Sequence, residues 1–344
     1  MPLLSPATVP LDCRLTAPCY PDWRAALADA VRDPTLLCRL LKLPPSLAET
    51  AKLGAKGFPL LVPRPYLSRI RMGDPSDPLL LQVLPTEGEL IHSSRFTTDP
   101  IGEASSTLPG GILWKYQARV LMVTTAVCAV HCRFCFRRHF PFEASGRDGL
   151  HWEMALAKIA SEESVSEVIL SGGDPLCLDD EVLAGLVGRL DGIPHLLRLR
   201  VHTRQPVLIP QRVTDALLKT FRGSRLTSIL VLHVNHPAEI DRAVEEAIGR
   251  LVDAGVPVLQ QAVLLRGVND GVDVLTELYQ RLVDLRVMPY YLHQLDRVAG
   301  AAHFEVAPEE GVRLIGELRR RLPGYAVPRY VRETASAPNK VPLA

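Results

Sequence analysis

Six apolar runs, each followed by a stretch of helical period, constrain the fold of this chain more than any other feature. The runs are Arg119–Thr124, Val168–Leu170, Leu197–His202, Ile229–Val234, Val258–Leu265 and Val287–His293. Their β-branched, turn-bounded character predicts buried strands. Between them, Trp152–Glu162, Asp180–Leu190, Arg212–Phe221, Glu239–Asp253 and Val272–Leu285 carry the 3.6-residue apolar stripe of amphipathic helices, and Glu309–Leu322 follows the last strand. Each unit is long enough for a right-handed parallel crossover. Six units are too few for a closed eight-stranded barrel. The predicted fold is α/β, a partial (β/α)6 barrel over residues 113–325, open on one side. A helical and irregular segment (1–112) precedes it and a short tail (326–344) follows.

In the first segment, Trp23, Leu27 and Val31, then Leu36, Leu37 and Leu40, recur at helical spacing with Pro34 between them, which predicts two short helices. Leu47–Leu53 predicts a third. From Phe58 to Gly111 prolines and glycines are dense, and extended segments and turns are expected, forming a cap or an oligomer contact.

The first strand empties into Cys128, Cys132 and Cys135, followed by Arg137, Arg138 and His139. Three thiolates so close together can converge on one metal centre, one ligand short of a closed tetrahedral site. A disulfide framework would need an even number and a secreted chain. Structural zinc would need His131 or His139 as a fourth ligand. A [4Fe–4S] cluster would leave one iron open to an outside ligand. The spacing Cys-x3-Cys-x-Phe134-Cys resembles that of the radical S-adenosylmethionine (SAM) enzymes, whose open iron holds the amino and carboxylate groups of SAM.

Composition narrows the surroundings. A net charge of +1 gives no footprint of a nucleic-acid binder, and no apolar stretch approaches the ~20 residues of a membrane span. The start, MPLLSPATVPLDC, lacks the pattern of a signal peptide. Cys13, Cys19, Cys38 and Cys177, read as small hydrophobes, complete a cysteine usage suited to a reducing cytoplasm.

In parallel β/α folds, sites gather at the C-terminal strand ends. Those ends here carry the cysteine loop, Ser171-Gly172-Gly173-Asp174, His202-Thr203-Arg204, His233-Val234-Asn235-His236, and Tyr290, Tyr291, His293 and Asp296. Any one of them suits a solvated loop; five on one rim predict a single large pocket. The two glycines allow close backbone approach to a ligand, or simply a tight turn. Arg137 and Arg138 suit either a substrate carboxylate or charge balance against the thiolates. Lys340, near the end, reads on its own as a solvated lysine.

From about Trp114 to Val341 the chain resembles the lysine 2,3-aminomutase family. The resemblance is carried by CAVHCRFCFRRHF, VILSGGDPL, the HPAEI of NHPAEID, DAGVPVLQQAVLLRGVND, RVMPYYLHQLD and the closing Lys-Val-Pro. Among its branches, the shorter members that make (R)-β-lysine for elongation factor P look closest. WRAALADAVRDPTLLCRLLKL resembles their N-terminal region, and the chain ends just past Lys340, where longer aminomutases continue into a zinc segment.

The resemblance implies roles. Lys340 matches the lysine that binds pyridoxal 5′-phosphate (PLP) covalently. Arg119, Gln261 and Lys115, the last an arginine in typical aminomutases, match positions around the PLP phosphate; Tyr116 and His233 match residues beside its ring. Ser171, Gly172, Gly173 and Asp174 match a turn that contacts the amino group of SAM. Arg137 matches the partner of the substrate carboxylate, and Asp296 the acceptor of the substrate's side-chain ammonium. Glu333 stands where the family has a second aspartate, and Ala-Ser-Ala-Pro-Asn replaces a glycine-rich run before Lys340.

The implied reaction is a radical 1,2-amino shift of L-lysine to β-lysine. An electron donor serves the cluster, SAM supplies a 5′-deoxyadenosyl radical that takes hydrogen from C3, and PLP carries the migrating nitrogen. Asp296 favours a cationic amino acid, so arginine is the nearer rival and glutamate is disfavoured by like charge. The alternative of another class is an iron–sulfur protein without catalysis.

Overall fold

The structure, a computed structural model, describes residues 19–142, 152–335 and 337–344; Cys13 lies outside them. Its frame is one sheet, in which the described residues form ten strands in sequence order: β1 (Thr107–Leu108), β2 (Ile112–Tyr116), β3 (Arg119–Thr125), β4 (Glu167–Gly172), β5 (Arg198–Thr203), β6 (Thr227–His233), β7 (Val258–Leu264), β8 (Met288–Gln294), β9 (Arg329–Arg332) and β10 (Val341–Pro342). Strands β3 to β9 are parallel neighbours; β1, β2 and β10 pair antiparallel at the two ends. All six expected strands are present, and the sheet is open as expected. It carries one parallel strand more. Residues 326–344, expected as a tail, include β9 and β10 and continue the sheet rather than hanging from it.

The crossover helices fall within a few residues of expectation, and the shifts have local causes. The helix expected from Arg212 spans Asp215–Gly223, because Pro210–Arg212 forms a 3-10 turn and the Thr214 hydroxyl caps Leu217 N at 3.0 Å. The helix expected from Glu239 spans Arg242–Asp253. Asp241 caps Val244 N at 2.9 Å, after a 3-10 turn at Pro237–Glu239.

Period-two alternation sends the sheet's two faces to different work. Val168, Leu170, Leu199, Val201, Leu230, Leu232, Ala262, Leu264, Leu292 and Tyr330 point outward into one apolar core shared with the helices. The intervening residues Glu167, Ile169, Ser171, Arg200, His202, His233, Gln261, His293, Arg329 and Val331 line a single cavity of about 850 Å³. The sheet therefore curves around that space, as a partial barrel does.

The N-terminal segment forms helices Trp23–Ala28, Pro34–Leu40 and Pro45–Ala55, with Asp33 capping the second and Pro34 opening it. Beyond Phe58 the chain is irregular, with one-turn helices at Arg64–Leu67 and Pro78–Leu81. The described part of this segment packs a second apolar core against Ala129 and Val130 of the cysteine loop. Its described residues form the outer wall of that loop. No helix among the described residues is long and apolar enough to cross a membrane.

Candidate active site

The cysteine loop leaves β3 and is gripped from behind. Arg133 N donates to Gln82 O at 2.9 Å and His131 N to Leu61 O at 3.0 Å. The Arg133 guanidinium binds both oxygens of Glu89, at 2.8 and 2.5 Å, and Arg138 reaches the same carboxylate at 2.6 Å. With its backbone and flanking arginines held outside, the loop turns Cys128, Cys132 and Cys135 into the cavity. Burial raises the Cys128 thiol well above its usual pKa, with Cys135 and Cys132 adding to it, and raises Cys135 to about 11, with Cys132 adding to it. Arg137 opposes this at both thiols, and Arg204 Nη1 donates to Cys132 Sγ at 2.8 Å. Three thiols beside a buried guanidinium suit an anionic thiolate-ligated centre. Among the described residues no three His, Cys, Asp or Glu side chains converge on a single metal ion. Of the candidate fourth ligands for zinc, His131 has Nδ1 on Pro59 O at 2.8 Å and His139 has Nε2 on Ala299 O at 3.0 Å, which leaves one ring nitrogen of each to a metal.

The glycine turn after β4 lies directly against this loop. Gly172 has φ +115°, a conformation that glycine tolerates best. Gly173 N donates to Thr125 O at 2.7 Å, and a Cβ on Gly173 would run into the Val127 carbonyl and lie 2.8 Å from Ala126 C. Close backbone packing thus accounts for the glycines, while Ser171, Gly172, Gly173 and Asp174 all border the cavity. Asp174 is committed to structure: its oxygens accept from Thr203 Oγ1 at 2.7 Å, Arg204 N at 2.8 Å, Leu176 N at 3.0 Å and Gln205 N at 3.1 Å. It ties the β4 turn to the β5 exit and has little capacity left for a ligand.

Lys340 faces the same cavity and is only 28% exposed, unlike a solvated lysine. Its Nζ donates to Glu333 Oε2 at 2.5 Å. Lys115 Nζ donates to Glu333 Oε1 at 2.7 Å, and the Tyr116 hydroxyl binds that same oxygen. Burial works against ionisation of Glu333, yet Lys340, Lys115 and Tyr116 outweigh it and hold its pKa at about 2. Among the described residues, no cation pairs with the Asp296 carboxyl in this way. Burial, with Glu333 and Glu103 adding to it, pushes its carboxyl up to about 7 despite the pull of Lys340.

Arg119, Arg200 and Arg329, from β3, β5 and β9, also line the cavity with Glu167 of β4, which Arg200 contacts at 2.6 Å. These arginines stand near the starts of their strands, so the polar lining runs the length of the inner face and not only along the C-terminal rim. Gln261 faces in from β7, beside His233 in the register. His233 stacks on Phe134 of the cysteine loop, centroids 5.5 Å apart, and burial then Arg204 lowers its pKa to about 3. His202 is held neutral by burial and by Arg200, Lys340 and Arg137, and its Nε2 is buried without a hydrogen-bond partner. An orphaned imidazole nitrogen on a lined chamber is the kind of atom a bound ligand satisfies.

Every residue to which the family resemblance gives a role borders one cavity, whose volume lies in the upper part of the usual ligand range, whereas Arg138, Asn235 and His236 are not among its lining. The thiols could hold a cluster; the glycine turn gives a close-packed floor beside them. Lys340, with three arginines and Gln261 in the same space, could hold a phosphorylated aldehyde. Arg137 lines the cavity with Glu103 already on its guanidinium, Nη2 to Oε1 at 2.6 Å. Glu103, Arg200, Arg329 and Glu167 were not foreseen. The alternation of Arg198, Arg200 and His202 with Leu199 and Val201 signals a polar inner face, whereas a lone acid in a glycine- and proline-dense stretch signals nothing.

No protein-family model matches the chain. It is 44% identical over 330 residues to the L-lysine 2,3-aminomutase of Escherichia coli, covering 96% of both chains. It is 43% identical over 319 residues to the L-lysine 2,3-aminomutase of Haemophilus influenzae, 93% of this chain and 94% of that one. The L-lysine 2,3-aminomutase of Clostridium subterminale is 35% identical over 328 residues, 94% of this chain and 77% of its own. Among solved structures, Streptococcus suis SuiB bound to S-adenosylmethionine aligns with a TM-score of 0.49 at 14% identity, over 64% of this chain and 51% of that one.

Proposed function

The chain belongs to the L-lysine 2,3-aminomutase family, isomerases that move an amino group, and we propose that it converts L-lysine to β-lysine with a [4Fe–4S] cluster, SAM and PLP. The observation that carries this reading is that Cys128, Cys132, Cys135 and Lys340 line one cavity. When bound, the cluster with SAM supplies a carbon-centred radical and PLP supplies the π-system through which nitrogen can migrate.

The chain's own residues supply the rest. Cys128, Cys132 and Cys135 bind the cluster, and the Arg204 guanidinium offsets their charge. The Ser171-Gly172-Gly173 turn keeps backbone close to SAM. Lys340 anchors PLP, with Arg119 and Gln261 toward its phosphate and Tyr116 and His233 toward its ring. Arg137 holds the substrate carboxylate. Asp296 receives the side-chain ammonium; as a buried carboxylate it selects a cation and repels an acid. The curved sheet and its N-terminal backing exclude water from a radical that would otherwise take hydrogen from any donor. We assign the product to the R series and its use to the modification of elongation factor P, in the cytoplasm, with a reductant for the cluster. That assignment rests on the N-terminal resemblance to the shorter members of the family.

Anaerobic reconstitution with iron, sulfide and PLP, followed by L-lysine, SAM and a strong reductant, is the test. β-Lysine formation with SAM recovered supports the proposal. A loaded protein that leaves L-lysine unchanged overturns it, and faster turnover of L-arginine would shift the substrate.

A further inference from the structure

We infer that Glu103 is a built-in counter-ion of Arg137 that sets the affinity of the site for the substrate carboxylate. Arg137 Nε donates to Glu103 Oε2 at 2.9 Å and Oε1 at 3.2 Å, and Nη2 donates to Oε1 at 2.6 Å. Nη1 is spent on Ser171 Oγ at 3.0 Å and Gly172 O at 3.4 Å. A guanidinium offers five N–H donors. With Nε, both hydrogens of Nη1 and one of Nη2 engaged, a single N–H is left for a ligand. The forked, two-bond grip that an amino-acid carboxylate would take is filled by this chain's own acid.

Glu103 is not a loose side chain that happens to lie nearby. The two side chains are 7% and 12% exposed. Asp99 accepts from Glu103 N at 2.8 Å and from Ala104 N at 3.0 Å, which shapes the turn beneath the acid. Gly102, at φ +70°, lies so close to Ala335 that a Cβ would stand 2.8 Å from the alanine's own. The segment is also stitched to the loop after β8, Thr97 N to Arg297 O at 2.9 Å and Ala299 N to Thr97 O at 2.8 Å. The acid is thus presented to Arg137 by backbone fixed on both sides.

The inference rests on the reading of Arg137 as the carboxylate partner. An incoming carboxylate meets a neutralised pair, and must displace Glu103 or share the cation with it. In a low-dielectric wall, a guanidinium without its standing anion attracts a new anion more strongly. Glu103 reaches the substrate carboxylate through Arg137; its influence on Asp296 is shared by ligands with and without a carboxylate.

The experiment is equilibrium dialysis of L-lysine and of cadaverine, its decarboxylated form, against cluster- and PLP-loaded enzyme without SAM. Glu103→Gln, close in shape but uncharged, tightens L-lysine about tenfold, the scale of one charge-assisted hydrogen bond, and tightens cadaverine by a clearly smaller factor, the share that passes through Asp296. Glu103→Asp, which draws the acid back by one methylene, tightens L-lysine by a smaller factor and carries the test if the glutamine variant does not fold. Wild-type enzyme that prefers L-lysine, with no tightening in either variant, overturns this inference alone. Equal tightening of cadaverine overturns it as well. Wild-type enzyme that binds L-lysine no better than cadaverine overturns the role of Arg137 and this inference with it.

Discussion

Lys340 Nζ lies 2.5 Å from Glu333 Oε2, in the cavity that the cysteine loop also lines. That contact makes a near-terminal lysine part of a buried ion cluster with Lys115 and Tyr116. It also holds the amine in one place until a carbonyl reaches it.

Lys340→Ala removes the one amine to which we assign covalent PLP. Borohydride reduction of the PLP-loaded wild type fixes cofactor to the chain in a form that survives denaturation. The variant retains none, and its lysine turnover falls to background. Retained cofactor in the variant would move the anchor elsewhere.

Glu333→Gln alters acid stability in a defined window. The folded pKa of Glu333, about 2, lies below its ordinary value, so its ionisation stabilises the fold above that ordinary value. The contribution is lost as pH falls from about 4.5 towards 2. Urea midpoints measured across that range flatten in the variant.

Asp296 behaves in the opposite sense. Its folded pKa of about 7 exceeds its unfolded value, so the fold prefers it protonated and stability falls as pH rises from about 4 to 7. Asp296→Asn raises the urea midpoint most above pH 7 and not below pH 4. L-Lysine binding, which needs the carboxylate, strengthens from pH 6 to pH 8 in the wild type. In the variant it weakens by two orders of magnitude or more, from the ~3–5 kcal/mol of a broken buried pair, and loses that pH trend. Calorimetry in buffers of different ionisation enthalpy reads the accompanying proton release.

Gly173→Ala drives a methyl into the backbone of Ala126 and Val127, just ahead of Cys128. Backbone cannot yield as a flexible side chain can, so the loop shifts. Iron bound per chain after reconstitution falls by at least half, while far-UV circular dichroism is kept.

Much of this was legible in the sequence. Strand boundaries at Arg119, Val258 and Val287 were read to within a residue, because apolar runs between turn signals fix them. Three cysteines in eight residues mark the centre by chemistry alone. Lys340 became legible only through family resemblance, since nothing local distinguishes it from a solvated lysine. Its setting depends on β9, a four-residue strand too short to give a periodic signal. Glu103 was illegible for a different reason. Its meaning is its 2.6 Å contact with a residue 34 positions away, brought about by turns that composition does not encode.

Arg204→Met tests the buried polar layer behind the cysteines. Arg204 Nη2 binds Glu239 Oε2 at 2.9 Å and Gln82 Oε1 at 2.6 Å, besides the Cys132 contact. Methionine leaves Glu239 without its cation, at a cost of about 3–5 kcal/mol in urea unfolding. Any cluster that assembles shows a more negative midpoint potential in an EPR-monitored redox titration, because a positive charge beside a sulfur ligand has gone.

The two faces of the sheet carry one more consequence. Slipping β5 by a single residue would send Arg200 and His202 into the helix layer and bring Leu199 and Val201 to the chamber. Its charged lining forbids that, as strongly as its apolar backing does. The groups that await a substrate thus also proofread how the chain is threaded. Replacing them with aliphatic residues would relax that check, and several alignments of β5 against its neighbours would then compete.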